Sequence, residues 1–215
     1  MGRPAPRTRR LVLATRNPGK VREFRALLRH LPLVLLTLDD FPALPRVDEP
    51  GQTFAENAAA KAVTVARLTG TLTLADDSGV EIDALGGAPG VHSATFLGPE
   101  ATDDDRNAWV LAQLRDVPQQ RRTARYRAVV AVATPEGCVR TFEGRWEGCI
   151  ADAPRGRGGF GYDPIFLVPE LGKTVAELPL AEKNRRSHRA RALTAARAYL
   201  EALLARQEDG DGPGN

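Results

Sequence analysis

This sequence of 215 residues has few cysteines, few aromatic residues and no long apolar run. Its two cysteines, Cys138 and Cys149, have no metal-ligand spacing with any histidine, which argues against a zinc site. The two could lie on neighbouring strands, but a disulfide is not required, and we expect a reducing, cytoplasmic setting. No segment approaches the ~20 apolar residues of a membrane span, and the N-terminus lacks the apolar core of a secretory signal. We therefore expect no membrane association.

Charge is nearly balanced over most of the chain. The net charge of +3 arises largely at the ends, because residues 1–10 contribute +4 and residues 207–215 contribute −3, which leaves +2 for residues 11–206. A near-neutral body argues against nucleic-acid binding but is compatible with a small anionic ligand. Both charged ends are predicted to be flexible tails. Hydrophobic residues make up 42% of the chain, so residues 11–206 are expected to form one domain.

Hydrophobic patterns predict strands and helices that alternate along the chain. The predicted strands are 11–14, 33–38, 71–75, 80–83, 124–134 and 138–146. The predicted helix caps are Asn17, Thr53, Thr102 or Asp103, and Ser187. The last two strands are joined by Pro-Glu-Gly, which is typical of a hairpin. Strands mixed with helices and a late hairpin indicate an α/β fold with a central mixed β-sheet and flanking helices.

Residues 11–24, LVLATRNPGKVREF, combine a strand, a short loop and a helix start. Asn17 can cap the helix, and Pro18 suits its first position because proline lacks the N–H that would be unbonded there. Arg16, Lys20 and free backbone N–H groups would then lie beside each other, which favours binding of an anion, phosphate above all. The alternative is an ordinary strand–helix turn with two solvated cations. The glycine spacing of a Walker A loop is absent.

Two acidic motifs are candidates for catalysis. Residues 76–79, Asp-Asp-Ser-Gly, follow an apolar strand, and strand ends are where α/β sheets usually bind ligands. Adjacent carboxylates on extended backbone point in different directions, so one can bind a hard cation or activate water while donors hold the other. An Asx-type loop is the alternative. Glu56 also has two interpretations, because it can close a capping box or bind Mg²⁺ together with Asp77.

Two further motifs suit recognition of a base and of phosphates. Residues 156–164, GRGGFGYDP, place Phe160 and Tyr162 among glycines, which suits stacking on a flat base. The alternative is a surface turn whose aromatic rings plug the core edge. Residues 182–189, EKNRRSHR, bring charged groups to a helix start, where they can form base-edge hydrogen bonds and pair with phosphate. The alternative is a solvated, arginine-rich helix entrance.

The order of the motifs resembles one family, the non-canonical purine nucleoside triphosphate pyrophosphatases of the inosine triphosphate pyrophosphatase group. The motifs are Thr-x-Asn-x-x-Lys, Phe-x-Glu-Asn-Ala, Asp-Asp-Ser-Gly, Gly-Gly-Ala-Pro-Gly-Val, Gly-Phe-Gly-Tyr-Asp-Pro and Glu-Lys-Asn-x-x-Ser-His-Arg. The resemblance extends from Leu11 to about Leu204. It implies two lobes around a nucleotide cleft, a homodimer, and Mg²⁺-dependent hydrolysis of ITP, dITP or XTP to the monophosphate and pyrophosphate. Such an enzyme clears deaminated purines from the nucleotide pool.

The resemblance also implies roles for individual residues. Asp77 would be the catalytic base and a Mg²⁺ ligand, with Glu56 as a second metal carboxylate and Ser78 as a substrate contact. The triphosphate loop would comprise Thr15, Arg16, Asn17, Pro18, Gly19 and Lys20. The base and sugar pocket would comprise Phe160, Gly161, Tyr162, Asp163, Lys183, His188 and Arg189, with the Phe160 ring stacked on the purine.

General chemistry is compatible with these roles, although two positions depart from the family pattern. A 6-oxo purine presents an acceptor where adenine has an amino group, so a donor such as the Arg189 guanidinium would favour the former. His92 stands where an aromatic residue is common and Thr95 where arginine is common, which puts any contact of that arginine in doubt. Two other functions remain open: a pyrophosphatase for modified pyrimidine triphosphates, and a nucleotide- or RNA-binding module that uses the basic N-terminus.

Overall fold

The computed structural model describes residues 9–209 and places their seven strands in one sheet, with helices on both faces. The strands are β1 (Arg9–Leu13), β2 (Leu33–Thr37), β3 (Thr73–Ile82), β4 (Thr123–Ala133), β5 (Val139–Ile150), β6 (Phe166–Val168) and β7 (Lys173–Thr174). The helices are α1 (Pro18–Leu28), α2 (Phe54–Thr69), α3 (Asp103–Gln113), α4 (Leu180–Arg186) and α5 (His188–Asp209). Across the sheet the order is β2-β1-β3-β4-β5-β6-β7.

Strand direction changes within the sheet, which confirms the mixed sheet. β1 runs parallel to β2 and β3, and the pairings from β3 to β7 are antiparallel. β1 pairs with β3 only as far as Leu74, whereas β4 pairs with β3 along its whole length. The edge of β3 beyond Leu74 is therefore free of β1, and Lys20 at the start of α1 lies against Asp76 there.

Side-chain alternation divides the core between the two faces of the sheet. Leu11 and Leu13 pack with α1 and α5 in one buried cluster, while Val12 and Ala14 pack with α2 in another. This two-residue period is typical of a strand buried on both faces. A third cluster joins the far ends of β3, β4 and β5 to α3 and to residues 162–168. The three long strands thus connect two lobes, as the resemblance implied.

Most predicted elements are confirmed, and the exceptions have local causes. The hairpin of β4 and β5 is present, and Asn17, Thr53 and Thr102 cap their helices. The predicted interruption at residues 76–79 is wrong, because β4 pairs with β3 continuously and keeps the Asp-Asp-Ser-Gly motif extended. The catalytic motif therefore lies inside a strand, beside the point where β1 ends.

Both predicted tails lie mainly outside the described residues. Arg9 and Arg10 belong to β1, and α5 continues through Asp209, so these parts of the predicted tails belong to regular elements. Cys149 lies within β5 and Cys138 directly precedes the same strand, so the cysteines do not occupy neighbouring strands. Among residues 9–209, no helix has the length and apolar character needed to cross a membrane.

Candidate active site

The loop after β1 forms one wall of a cleft between the lobes. Asn17 Oδ1 accepts hydrogen bonds from the backbone N–H groups of Gly19, at 2.9 Å, and Lys20, at 3.1 Å, and Pro18 occupies the first helical turn. Thr15 Oγ1 accepts from the N–H of Asn17. The N–H groups expected to be free are therefore bonded within the loop. Positive potential at this wall comes from the Lys20 ammonium and from the helix dipole.

Asp76 is a fully buried carboxylate that is paired with cations. Lys20 Nζ lies 2.9 Å from its Oδ2, and the Arg189 guanidinium donates to both of its oxygens at 3.2 Å. The Ser78 hydroxyl also donates to Oδ2, at 3.0 Å. Burial alone would raise the pKa of Asp76, but the charges of Arg189 and Lys20 outweigh it and hold the pKa well below its usual range. Asp76 is therefore ionised and anchors the cationic wall.

Asp77 lies on the opposite face of β3 and has a different environment. It lines the cleft, is 8% exposed, and accepts hydrogen bonds from Asn57 Nδ2, at 3.1 Å, and from the Ser78 N–H, at 3.0 Å. Burial raises the pKa of Asp77 despite the attraction of the Lys20 charge and the Asn57 hydrogen bond. Two adjacent carboxylates thus have pKa values displaced in opposite directions, which marks Asp77 as the candidate general base.

Glu49 supplies a second carboxylate to the cleft. It lines the cleft together with Asp77 and pairs with Lys61 of α2. Burial lowers the pKa of Lys61 to about 8. Glu56, in contrast, is exposed, and its carboxylate accepts two backbone N–H groups in the capping box at the start of α2. Glu49 and not Glu56, the residue predicted as the second metal carboxylate, therefore lines the cleft with Asp77.

The Gly-rich loop folds against the start of α1. The Phe160 ring rests on Gly19, so a Cβ at that position would require the ring to move. Lys183 Nζ lies 4.7 Å from the centre of the same ring. Asp163 is buried and accepts from the Tyr126 hydroxyl at 3.0 Å, the Phe160 N–H at 3.0 Å and the Lys183 ammonium at 2.5 Å. Asp163 thus fixes the loop that carries Phe160.

A buried carboxylate of α1, Glu23, joins the two cations of the Glu-Lys-Asn motif. One of its oxygens lies 2.6 Å from Lys183 Nζ, and the other pairs with Arg189. Burial opposes its charge, but Arg189 and Lys183 lower the pKa of Glu23 below its ordinary value. The remaining Arg189 donors bond to Asp76 and Ser78. Each guanidinium nitrogen therefore has a partner within the chain, so Arg189 anchors the wall, and its predicted contact with a 6-oxo group stays a prediction.

His188 presents an unpaired nitrogen beside these charges. It lines the cleft, is 4% exposed, and stacks on the Tyr126 ring with centroids 4.6 Å apart. Its Nδ1 has no hydrogen-bond partner among the described residues. Burial, and then the charges of Arg189 and Lys183, lower the pKa of His188 well below its usual value, so the ring is neutral. A neutral imidazole can donate one hydrogen bond and accept another at the edge of a base.

The second lobe closes the far side of the cleft. Tyr162 is buried, and its hydroxyl donates to the Ser93 carbonyl at 2.9 Å, so this ring plugs the core edge as well as lining the cleft. Burial raises the pKa of Tyr162 to about 12. Gly161 is held by α3, because its N–H donates to Asp103 at 2.7 Å and its carbonyl accepts from Asn107 at 3.0 Å. Helix α3 therefore holds the Gly-rich loop in place through these two hydrogen bonds.

The structure gathers most of the predicted site residues around this cleft. Those that line it are Asn17, Lys20, Asp77, Ser78, Phe160, Gly161, Tyr162, Asp163, Lys183, His188 and Arg189. Those that do not are Thr15, Arg16, Pro18, Gly19 and Glu56. Several other lining residues were not among the predicted site residues, namely Glu49, Gly51, Asn57, His92, Thr95, Asp103 and Tyr126. Asn57 carried a signal in its Phe-x-Glu-Asn-Ala motif, whereas Glu49 stands in a loop without a recognisable pattern.

Fold and site together define an α/β protein with a charge-lined cleft between two lobes. The chain belongs to the Ham1 family, whose model matches residues 11–199. A dITP/XTP pyrophosphatase from Geobacter sulfurreducens is 53% identical to it over 191 residues, which cover 89% of this chain and 96% of the relative. A dITP/XTP pyrophosphatase from Thermus thermophilus is 54% identical over 193 residues, or 90% and 91% of the two chains.

Solved structures support the same assignment. A HAM1 protein from Coxiella burnetii superposes with a TM-score of 0.79 at 41% identity, covering 93% of this chain and 100% of that one. The Ham1 protein of Staphylococcus aureus also gives a TM-score of 0.79, at 34% identity, covering 91% of this chain and 100% of that one. The predicted fold class and the family resemblance are thereby confirmed.

Proposed function

We propose that this chain hydrolyses the non-canonical purine nucleoside triphosphates ITP, dITP and XTP to the monophosphate and pyrophosphate. The observation that carries the proposal is the division of roles on β3, where Asp76 anchors cations and Asp77 faces the cleft with a raised pKa. The two relatives that are 53% and 54% identical are dITP/XTP pyrophosphatases, which supports this substrate class. The activity would remove deaminated purines from the nucleotide pool.

The cationic wall would hold the triphosphate. A triphosphate carries about four negative charges at neutral pH, so its binding needs cations and metal. Lys20 lies at the N-terminus of α1, where the helix dipole also favours anions. Its pairing with Asp76 at 2.9 Å fixes the direction of the ammonium group. Lys20 would therefore meet the phosphates without first losing much side-chain freedom.

Mg²⁺ is part of the proposal, and the carboxylates of the cleft suit it. Mg²⁺ prefers one or two carboxylates, completed by water and phosphate oxygens. Asp77 and Glu49 would hold the ion, since both line the cleft. Within residues 9–209, no three His, Cys, Asp or Glu side chains are grouped as a metal site, so nucleotide oxygens would complete the coordination. When bound, Mg²⁺ would neutralise charge that develops on the phosphates.

Asp77 would act as the general base. Its carboxylate lines the cleft and accepts a hydrogen bond from Asn57 Nδ2, so it can take a defined direction toward an attacking water. It would take a proton from water as the water oxygen bonds to the α-phosphorus, while the anhydride bond between the α- and β-phosphates breaks and pyrophosphate leaves with the bridging oxygen. Lys20 would stabilise the charge that appears on the departing oxygen.

Base recognition would fall to the opposite end of the cleft. Phe160 offers a ring for stacking, and the neutral His188 offers an unpaired Nδ1. With the ring proton on Nδ1, His188 would donate to the 6-oxo group of hypoxanthine or xanthine, whereas the amino group of adenine would leave that donor unsatisfied. Lys183 lies beside the same ring and would contribute positive potential near that oxygen.

A homodimer and a cytoplasmic location remain proposals that rest on the family resemblance.

The activity itself is tested by a panel of ITP, XTP, dITP, GTP and ATP at equal concentration with Mg²⁺. We expect turnover of ITP, XTP and dITP far above that of GTP and ATP. Turnover of a modified pyrimidine triphosphate alone would change the substrate. Salt-sensitive RNA binding without hydrolysis of any nucleotide would indicate a binding module instead.

A further inference from the structure

Asn57 connects two parts of the cleft that are far apart in sequence. It lies in the first turns of α2, is 4% exposed, and lines the cleft. Its Nδ2 donates to Asp77 Oδ2 at 3.1 Å, and its Oδ1 accepts from the Gly51 N–H at 2.7 Å. One side chain therefore contacts both the candidate base on β3 and the loop that follows Glu49.

The orientation of this amide is fixed by its partners. The Gly51 N–H can only donate, so the carbonyl oxygen of Asn57 must face it, and the NH₂ group must face Asp77. Gly51 has no room for a side chain there, because a Cβ would collide with Asn57 Oδ1. Both polar ends of the buried amide are thus hydrogen-bonded, and the amide can adopt only one orientation.

Asp77 has few other groups to hold its carboxylate. Its second hydrogen bond comes from the N–H of Ser78, the next residue in the chain, which constrains only one oxygen. Asn57 is the side chain seen to restrain Oδ2 in the described residues. A general base must hold a fixed direction toward its proton, so loss of this restraint would slow proton transfer.

We propose that Asn57 is a positioning residue for the general base: it aligns the Asp77 carboxylate and ties it to the loop that carries Glu49. This inference rests on the proposed function. Groups that orient an active carboxylate typically change activity by about 10- to 100-fold when they are replaced. Asn57 pairs with neither Phe160 nor His188, so its replacement should lower kcat and leave nucleotide binding unchanged.

Two variants with the same branching pattern as asparagine separate alignment from loop attachment. Asn57→Asp keeps an oxygen acceptor for the Gly51 N–H but presents a carboxylate, instead of a donor, to Asp77. Asn57→Leu removes both hydrogen bonds. Val65→Ala, in the core of the same helix, is the matched control, because it lowers stability without touching the cleft.

The measurements are kcat and KM for ITP, the thermal midpoint, and calorimetric binding of ITP without Mg²⁺. We expect kcat to fall by about 10- to 100-fold in both Asn57 variants while KM and metal-free binding stay within about threefold of wild type. Val65→Ala should lower the thermal midpoint and keep kcat.

Two results would overturn the proposal. If Asn57→Asp keeps the wild-type kcat, the bond to Gly51 is sufficient and the residue is structural. If both variants raise KM and leave kcat unchanged, Asn57 acts on binding. Because Asn57→Asp retains the loop hydrogen bond, it remains informative if Asn57→Leu does not fold. Wild-type protein that releases no pyrophosphate would instead refute the proposed function, and the inference with it.

Discussion

Replacing the two adjacent aspartates by asparagine, one at a time, should lower activity in both cases but have different effects on stability. Asp76→Asn removes a fully buried charge that pairs with Lys20 at 2.9 Å and with Arg189 at 3.2 Å, and it leaves those cations short of a partner. Breaking one side of a buried ion pair costs about 3–5 kcal/mol, so the free energy of unfolding should fall by that amount. The Asp76→Asn protein should lose activity mainly because it unfolds.

Asp77→Asn should leave the free energy of unfolding unchanged or slightly increased. Burial raises the pKa of Asp77, which means that its charged form is disfavoured in the folded protein. A neutral amide of the same size removes that cost, although it also changes the hydrogen bond with Asn57. The Asp77→Asn protein should fold normally and lose most of its hydrolysis, because the proton acceptor is gone.

The two carboxylates also give opposite pH dependences. The folded pKa of Asp76 lies below the ordinary value of 3.8, so its stabilisation is present above pH 3.8 and is lost as pH falls through the folded pKa. The folded pKa of Asp77 lies above 3.8, so its destabilising effect is present at neutral pH and disappears as pH falls toward 3.8. Any stability advantage of Asp77→Asn should therefore shrink on acidification.

Urea unfolding, followed by tryptophan fluorescence at several pH values, measures the stability of both variants. Pyrophosphate release from ITP measures their activity, and wild-type protein at matched folded fraction is the control. An Asp76→Asn protein as stable as wild type would refute the anchoring role. An Asp77→Asn protein that retains turnover within a few-fold of wild type would refute the assignment of the base.

Four further substitutions test other parts of the site. Gly19→Ala places a methyl group against the Phe160 ring, so the KM for ITP should rise with little change in melting temperature; an unchanged KM would show that the ring moves freely. Glu56→Gln keeps a residue that suits the capping box, so it should change stability little and keep turnover, whereas Glu49→Gln should lose most Mg²⁺-dependent turnover. A Mg²⁺ titration of both variants checks this, and the reverse outcome would return Glu56 to the metal site. Lys20→Ala should weaken binding of the triphosphate by ~1.5–3 kcal/mol, and unaltered kinetics would remove Lys20 from the site.

The sequence allowed prediction of those elements whose signals are local. Asn17 and Thr53 cap helices because their side chains bond to N–H groups two or three residues away, and such spacing is visible in the chain. The hairpin of β4 and β5 was predictable for the same reason, since a short turn joins two apolar runs. The course of β3 through Asp77 was not, because its partner strand β4 lies about 50 residues further along the chain.

The site was predictable as a set of motifs but not as a set of contacts. The family resemblance named Arg189 correctly as a cleft residue, yet its partners Glu23 and Asp76 are 166 and 113 residues away in sequence. Glu56 met the pattern of a capping box, and the structure shows that use of its carboxylate. Glu49 carried no pattern at all, because its place in the cleft depends on how the loop before α2 folds back.

The measurement that tests the account most directly is product identity. Wild-type protein and Asp77→Asn are incubated with ITP and Mg²⁺, and pyrophosphate and orthophosphate are assayed separately. We expect wild type to release pyrophosphate and IMP in equal amounts, and Asp77→Asn, although folded, to release little of either. Release of orthophosphate without pyrophosphate, or full pyrophosphate release by Asp77→Asn, would contradict it.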